Sequence, residues 1–206
     1  MGWNVAASCV ALGAAAFAAR YFVRSGSAVV RSKVACNCGK VTGEICANSR
    51  DVLVIKCFCN SCQDYANHVA AKKDAAKVIL DEEGGSHIVQ VCKTDLVVHS
   101  GIDQLHPCRV SECSFALFRF YAKCCGTPMF NTAPGVGFVG VPATVVQDID
   151  KFPSPGFVFV EEAVKEPSRP NSSGVGPAFV YNFIRYLPYK TCGPQFPYEK
   201  EVEYYR

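Results

Sequence analysis

Between residues 34 and 160 the apolar positions fall in short runs separated by Gly, Pro, Asn and Asp, the pattern of strands bounded by turns. Residues 34–45 end in the strand-like VTGEI, and residues 51–55 (DVLVI) read as a buried strand leading into Cys57. Further strands are predicted at 88–92, 96–99, 115–121, 137–141 and 157–160, with a turn at Gly84-Gly85. Residues 63–77, rich in Ala and Lys, admit either a helix or an irregular excursion. Many short strands with Gly and Pro between them predict a mainly β fold over residues 34–164.

Two regions depart from this pattern. Residues 3–19 (WNVAASCVALGAAAFAA) are nearly all small or apolar and are followed by Arg20, Tyr21, Phe22 and Arg24. That predicts an N-terminal transmembrane helix over residues 1–24, ending in an interfacial anchor. A secretory signal would carry positive charge ahead of the apolar run, and the myristoylation pattern fails at Ala6. An Arg-rich, acid-free leader equally fits a mitochondrial targeting sequence. Ala7, Ala11, Ala15 and Ala19 form one helical stripe that admits close approach of another transmembrane helix, although Ala-rich spans carry such stripes without a partner. Basic residues on its C-terminal side would leave the main domain in the matrix, against the mitochondrial inner membrane, or in the cytosol if the membrane is another one.

Residues 25–33 read as a linker. From about Lys165 six prolines and nine aromatic residues follow without strand or helix period. Residues 165–206 are therefore expected to be an extended tail, laid along its own domain or a partner.

The formal net charge is +3, but Arg20, Arg24, Arg31, Lys33 and Lys40 all precede the first acidic residue, Glu44. Without those five, sixteen basic side chains face eighteen acidic ones. No clustered basic face is left for nucleic acid, which is excluded as a partner.

The thirteen cysteines change the picture most. They cluster as Cys36-x-Cys38, Cys57-x-Cys59-x-x-Cys62 and the vicinal Cys124-Cys125. Disulfide geometry penalises such neighbours, and a metal in a reducing compartment accommodates them. Alternation along a strand puts residues i and i+2 on one face, so each C-x-C pair can present two sulfurs to one ion, with a turn at Asn60-Ser61 bringing Cys62 round. Zinc takes four thiolates in a closed structural site and three in a site open to water or a substrate sulfur. Clusters of two, three and two cysteines predict one of each.

These residues resemble a known family. CNCGKVTGEI at 36–45, CFCNSCQDYANHV at 57–69 and YAKCCGTPMFN at 121–131 are similar to the glutathione-dependent formaldehyde-activating enzymes, which include centromere protein V. The resemblance spans roughly residues 33–150 and is nearest to an uncharacterised branch, through Gln63, Gly84-Gly85 and the C-C-x-T-P segment. It implies a zinc-binding β-tent fold, with Cys36, Cys38 and Cys125 as structural zinc ligands and Cys57, Cys59 and Cys62 as the ligands of a second zinc proposed to be catalytic. The family's late motif is usually C-x-x-C-G, and here Ala122 stands where the fourth structural ligand belongs. Cys124 is the obvious substitute, which requires a bent backbone at the vicinal pair; Cys108 and Cys113 are the other replacements.

Cys9, Cys46, Cys92, Cys108, Cys113 and Cys192 otherwise read as buried apolar thiols. His68 follows the three-cysteine cluster by six residues; it reads as a surface or packing residue, as do His87, His99 and His106. No phosphate loop or Ser-His-Asp arrangement is visible. Two functions are then in play. One is a zinc-stabilised, membrane-anchored accessory subunit of a larger membrane complex, held by lipid through the anchor and by neighbouring subunits through the tail. The other is a zinc-dependent carbon–sulfur lyase-like enzyme acting on glutathione adducts, for which no general acid or base stands beside the three cysteines. The anchor and tail favour the first.

Overall fold

The computed structural model describes residues 28–72, 79–112, 117–168 and 177–205. Alternation explains the first hairpin. β1 (Val29–Ala35) buries Val30, Ser32 and Val34 on one face, and β2 (Thr42–Asn48) buries Gly43, Ile45 and Ala47. The two pair antiparallel, Val34 opposite Gly43, and β5 (Leu96–Ser100) joins β2 to make a three-stranded sheet. The residues read as a linker over 25–33 therefore include the start of β1. Their strand pattern is hidden because a serine, Ser32, occupies a buried position between two valines.

The second sheet has eight strands: β3 (Leu53–Cys57), β4 (Ser86–Cys92), β6 (Leu105–Arg109), β7 (Phe118–Ala122), β8 (Thr127–Thr132), β9 (Phe138–Pro142), β10 (Gly156–Val158) and β11 (Glu203–Tyr204). Their order is β10-β3-β4-β9-β8-β7-β6-β11. Inner pairs are antiparallel, and the two edge strands β10 and β11 pair parallel. Long-range pairing of this kind leaves β4, β7, β8 and β9 buried on both faces, so they read as continuous apolar runs. The main core lies between the sheets, where Val34 and Ile45 meet Val89, Val91, Phe120, Met129, Phe130 and Val141.

Two helices cover the other face of the large sheet. α1 (Asn60–Ala70) buries Cys62, Tyr65, Ala66 and Val69, spaced i, i+3, i+4 and i+7 as a helix requires. α2 (Pro177–Tyr186) seats Tyr186 against Cys92 and Phe138. The expectation of an extended tail over 165–206 is thus corrected. Part of it is helical, with Pro177 at the first position, where its missing N–H costs nothing. Farther on, Phe196 and Tyr198 pack on Phe120, at ring distances of 5.2 and 5.7 Å. The chain ends as β11 beside β6, so the folded unit runs past residue 164.

No helix among the described residues is long and apolar enough to cross a membrane. The anchor predicted over residues 1–24 lies outside the described residues, as do Cys9 and Cys113.

Candidate metal centres and the arginine beside one of them

The first cluster is made by two turns. Cys36 and Cys38 lie in the turn after β1, where the Gly39 N–H donates to the Cys36 carbonyl at 3.0 Å and the Val41 N–H donates to Cys36 Sγ at 3.2 Å. Cys124 and Cys125 lie in the β7–β8 turn, where the N–H groups of Cys125 and Gly126 both donate to the Ala122 carbonyl, at 3.1 and 2.8 Å. Gly39 (φ 74°) and Gly126 (φ 69°) take the left-handed conformation that closes each turn. Thr127 joins the turns, accepting from the Asn37 N–H at 3.1 Å with its hydroxyl 3.0 Å from Cys125 Sγ. This is the bend the vicinal pair required, and it brings Cys124 to the fourth position. Sulfur–sulfur distances are 3.6 Å for Cys36 to Cys38, 3.9 Å for Cys36 to Cys124, 3.3 Å for Cys38 to Cys124 and 3.9 Å for Cys124 to Cys125. Sulfurs placed tetrahedrally about 2.3 Å from one ion would be separated by about 3.8 Å, so the donors fit a metal. Cys108 is elsewhere, fully buried, with its thiol donating to the Arg119 carbonyl at 3.2 Å.

The second cluster is one β-to-α corner. Cys57 ends β3, Cys59 precedes the first residue of α1, and Cys62 sits in its first turn. All three sulfurs lie within 4.8 Å of one another, with Cys57 and Cys59 3.4 Å apart. The predicted turn at Asn60-Ser61 is the start of this helix. Cys36 lies just past β1, so its pair is presented by a turn and not by strand alternation, whereas Cys57 is the last residue of β3 and Cys59 keeps an extended backbone (φ −59°, ψ 145°). The corner is locked from outside: the Glu162 carboxylate accepts the Asn60 N–H at 2.6 Å, and the Gln63 side chain donates to the carbonyls of Phe58 and Glu162 at 2.6 and 2.7 Å. A carboxylate at a helix N-terminus meets both the free N–H groups and the helix dipole.

Arg119, the second residue of β7, is the residue the sequence reading passed over. It is buried, and its guanidinium donates to Cys62 Sγ at 3.5 Å and to the Tyr205 hydroxyl at 2.9 Å. Burial works against its charge, but the Cys62 thiolate and Tyr205 hold the proton on more tightly than usual. Within the trio, hydrogen bonds from Cys57 and Cys59 lower Cys62 well below an ordinary thiol against the effect of burial, and Arg119 adds to them. Its hydrogen bonds with Cys59 and Cys62, together with burial, push Cys57 up. For Cys59 the bond with Cys57 lowers the pKa, but Cys62 and burial prevail and carry it to about 11. In the four-cysteine cluster burial raises Cys125, but its hydrogen bond with the Thr127 hydroxyl and others prevail and bring it to about 6.

The trio borders a cavity of about 140 Å³ walled by Ile55, Ile88, Leu117, Val158, Phe159 and Phe179, with Gln90, Arg119 and Asn131 as its polar groups. Phe159 holds φ at 57°, a left-handed conformation that costs a bulky residue about 1–2 kcal/mol. His68 points elsewhere, with Nε2 3.2 Å from the Glu203 carboxylate and its ring 5.2 Å from that of Tyr205. Among the described residues no histidine belongs to a cluster, and none of the eleven described cysteines forms a disulfide. Cys92 and Cys108 are the buried apolar thiols expected, whereas Cys46 is half-buried and Cys192 exposed.

Fold and clusters together define a mainly β protein with two thiol-rich centres compatible with metal binding. Over residues 27–169 the chain matches a family of unknown function, DUF6151, and it belongs to that family. No curated protein matches the sequence. Among solved structures the chain is similar to a Rhodobacter sphaeroides protein determined as a Northeast Structural Genomics target, at 17% identity and a TM-score of 0.38, over 61% of this chain and 98% of that one.

Proposed function

We propose that the protein is a zinc protein in which Cys36, Cys38, Cys124 and Cys125 hold a structural ion and Cys57, Cys59 and Cys62 form a second, open site that receives a thiol. The observation that carries this reading is the asymmetry of the clusters: four sulfurs close on one another, whereas three end at the wall of a cavity beside a buried cation. An all-sulfur donor set suits zinc or an iron–sulfur cluster, and metal analysis separates them. A zinc ion with three protein thiolates keeps a position for a further sulfur, whose pKa it lowers. The chain's own residues do the rest. Arg119 balances thiolate charge at Cys62, the apolar wall excludes water, and the amides of Gln90 and Asn131 offer hydrogen bonds to a polar ligand.

The resemblance to the glutathione-dependent formaldehyde-activating family supports the same division of labour, a β-tent fold, and glutathione adducts as substrates of carbon–sulfur lyase-like chemistry. Metal analysis of the purified protein should find two zinc equivalents, and calorimetry should find glutathione binding that Cys59→Ser abolishes. Iron in place of zinc, or glutathione binding untouched by Cys59→Ser, would overturn the proposal.

A second reading, a membrane-anchored accessory subunit at the mitochondrial inner membrane, is favoured by the apolar residues 3–19 with their alanine stripe. Its test is co-purification after mild detergent extraction. Ala11→Leu or Ala15→Leu should release partner subunits while the chain stays in the membrane, because bulk blocks close helix approach.

A further inference from the structure

α2 turns one side to the large sheet, burying Asn182 and Tyr186. Its other side is apolar and bare: Val180 is 48% exposed, Tyr181 63%, Ile184 59% and, just past the helix end, Leu187 40%. Spaced i, i+1, i+4 and i+7, these four make one stripe. The helix has a single charged side chain, Arg185, which is tied to Asp51, Nη1 to Oδ1 at 2.6 Å, with its guanidinium 5.6 Å from the centre of the Tyr181 ring. A continuous apolar stripe of this kind marks an interaction surface.

The place where the chain enters the fold indicates what covers it. The Ala28 carbonyl accepts from the Ser49 N–H at 2.9 Å. Two residues on, Asp51 takes Arg185 and its carbonyl accepts the Tyr186 hydroxyl. The stripe-bearing helix and the entry point of the N-terminal residues therefore share one corner of the molecule. Those residues include 3–19, where Asn4 and Ser8 are the only clearly polar side chains. A segment apolar all round needs apolar surroundings on every side, and one stripe on a ten-residue helix cannot supply them. A bilayer can. Arg20, Tyr21, Phe22 and Arg24 have the composition of an interface anchor, and the four residues from Arg24 to Ala28 reach at most about 14 Å.

We infer that the outer face of α2 rests on the phospholipid bilayer into which the N-terminal segment inserts, with Val180, Tyr181, Ile184 and Leu187 at the boundary between headgroups and acyl chains. Tyr181 suits that depth, an apolar ring with a polar tip. The inference rests on the membrane-anchored reading and is independent of what the cysteine trio binds.

The test uses the full chain. Trp3 is its only tryptophan, so Trp3→Phe gives a silent background for reporters at Ile184→Trp and Val180→Trp on the stripe and at Val97→Trp, exposed on β5. Each variant is reconstituted into phosphatidylcholine–phosphatidylglycerol vesicles with and without brominated acyl chains. Both stripe reporters should shift to the blue and lose several-fold more emission to bromine than Val97→Trp, with unchanged zinc content. Chains that enter the vesicles with stripe reporters no more quenched than Val97→Trp would overturn the inference and leave the anchor standing. A blue-shifted, bromine-insensitive reporter would assign the face to a protein segment and overturn it too. Chains that stay out of the vesicles would remove both the inference and the anchored reading.

Discussion

The four-cysteine cluster joins two turns from different sheets, whereas Cys57, Cys59 and Cys62 belong to a single β-to-α corner. A metal held by the first would therefore close a long stretch of chain and tie the sheets at one end. The second closes almost nothing, because the corner is already held by Glu162 and Gln63. Cross-links that close long loops contribute most to stability, so under the proposed function a metal at the first cluster would act as a staple, and one at the second would be left free for chemistry. Environment separates them further. Cys38 of the first cluster is exposed, and Cys62 of the second is buried against Arg119.

The sharpest way to break this comparison is Cys36→Ser. Structural zinc sites contribute about 10–16 kcal/mol of apparent binding energy to folding, against a net stability of about 5–15 kcal/mol for a typical domain. The variant should lose its cooperative thermal transition. Cys59→Ser, by contrast, should retain it with one zinc equivalent gone. Equal loss of thermal stability in the two variants would contradict the division into staple and open site.

Arg119→Met comes next. Outer residues that orient metal ligands typically tune metal affinity by about 10–100-fold, and this one links Cys62 to Tyr205. Competition with a chromophoric chelator should show one zinc released at about 10–100-fold lower chelator concentration and the other unmoved. Arg119→Lys should not rescue it, since a point charge lacks the planar fork that reaches both partners. An even effect on the two zinc ions would mean that Arg119 acts on the fold alone.

How much of this was legible in the sequence depended on whether the signal was local. All seven clustered cysteines announce themselves by spacing, and β3, β4 and β9 by dense β-branched residues. Cys124 was the obvious substitute for the fourth donor, but Cys108 and Cys113 stayed open beside it, because its position depends on the turn made by Gly126 and Thr127. α2 went unread because Val, Phe, Tyr and Ile are middling helix formers, although Pro177 at its start and Pro188 beyond its end were usable signals. Arg119 left a trace as well: one charge inside the apolar run LFRFYA implies a buried partner. Which partners it has could not be read, since Tyr205 lies 86 residues away and arrives only when β11 pairs with β6.

The corner locks of the open site should matter less than its ligands. Gln63→Ala removes two hydrogen bonds to the carbonyls of Phe58 and Glu162, each worth about 1 kcal/mol. The denaturation midpoint should fall by an amount matching about 1–2 kcal/mol, with two zinc ions still bound. A lost zinc equivalent would show that the corner is held by its ion and not by these bonds.

The smallest effect is expected at Cys108, and it sharpens the comparison by testing a cysteine that belongs to neither cluster. Its thiol is fully buried beside Tyr65 and Tyr121 and donates to the carbonyl of Arg119, so it touches the backbone of the very residue that faces Cys62. If a buried thiol here is only packing, Cys108→Ala removes one sulfur's worth of contact and one weak hydrogen bond, a loss of about 1 kcal/mol. Zinc content should stay at two equivalents, and the chelator profile should match that of the unaltered protein. Had Cys108 been the fourth donor in place of Cys124, the same substitution would release the structural ion and unfold the domain, while Cys124→Ser would be mild. Measuring zinc content and thermal stability for the two variants side by side therefore decides which thiol completes the staple: the proposed structural site requires that Cys124→Ser destabilise the protein severely and that Cys108→Ala hardly alter it.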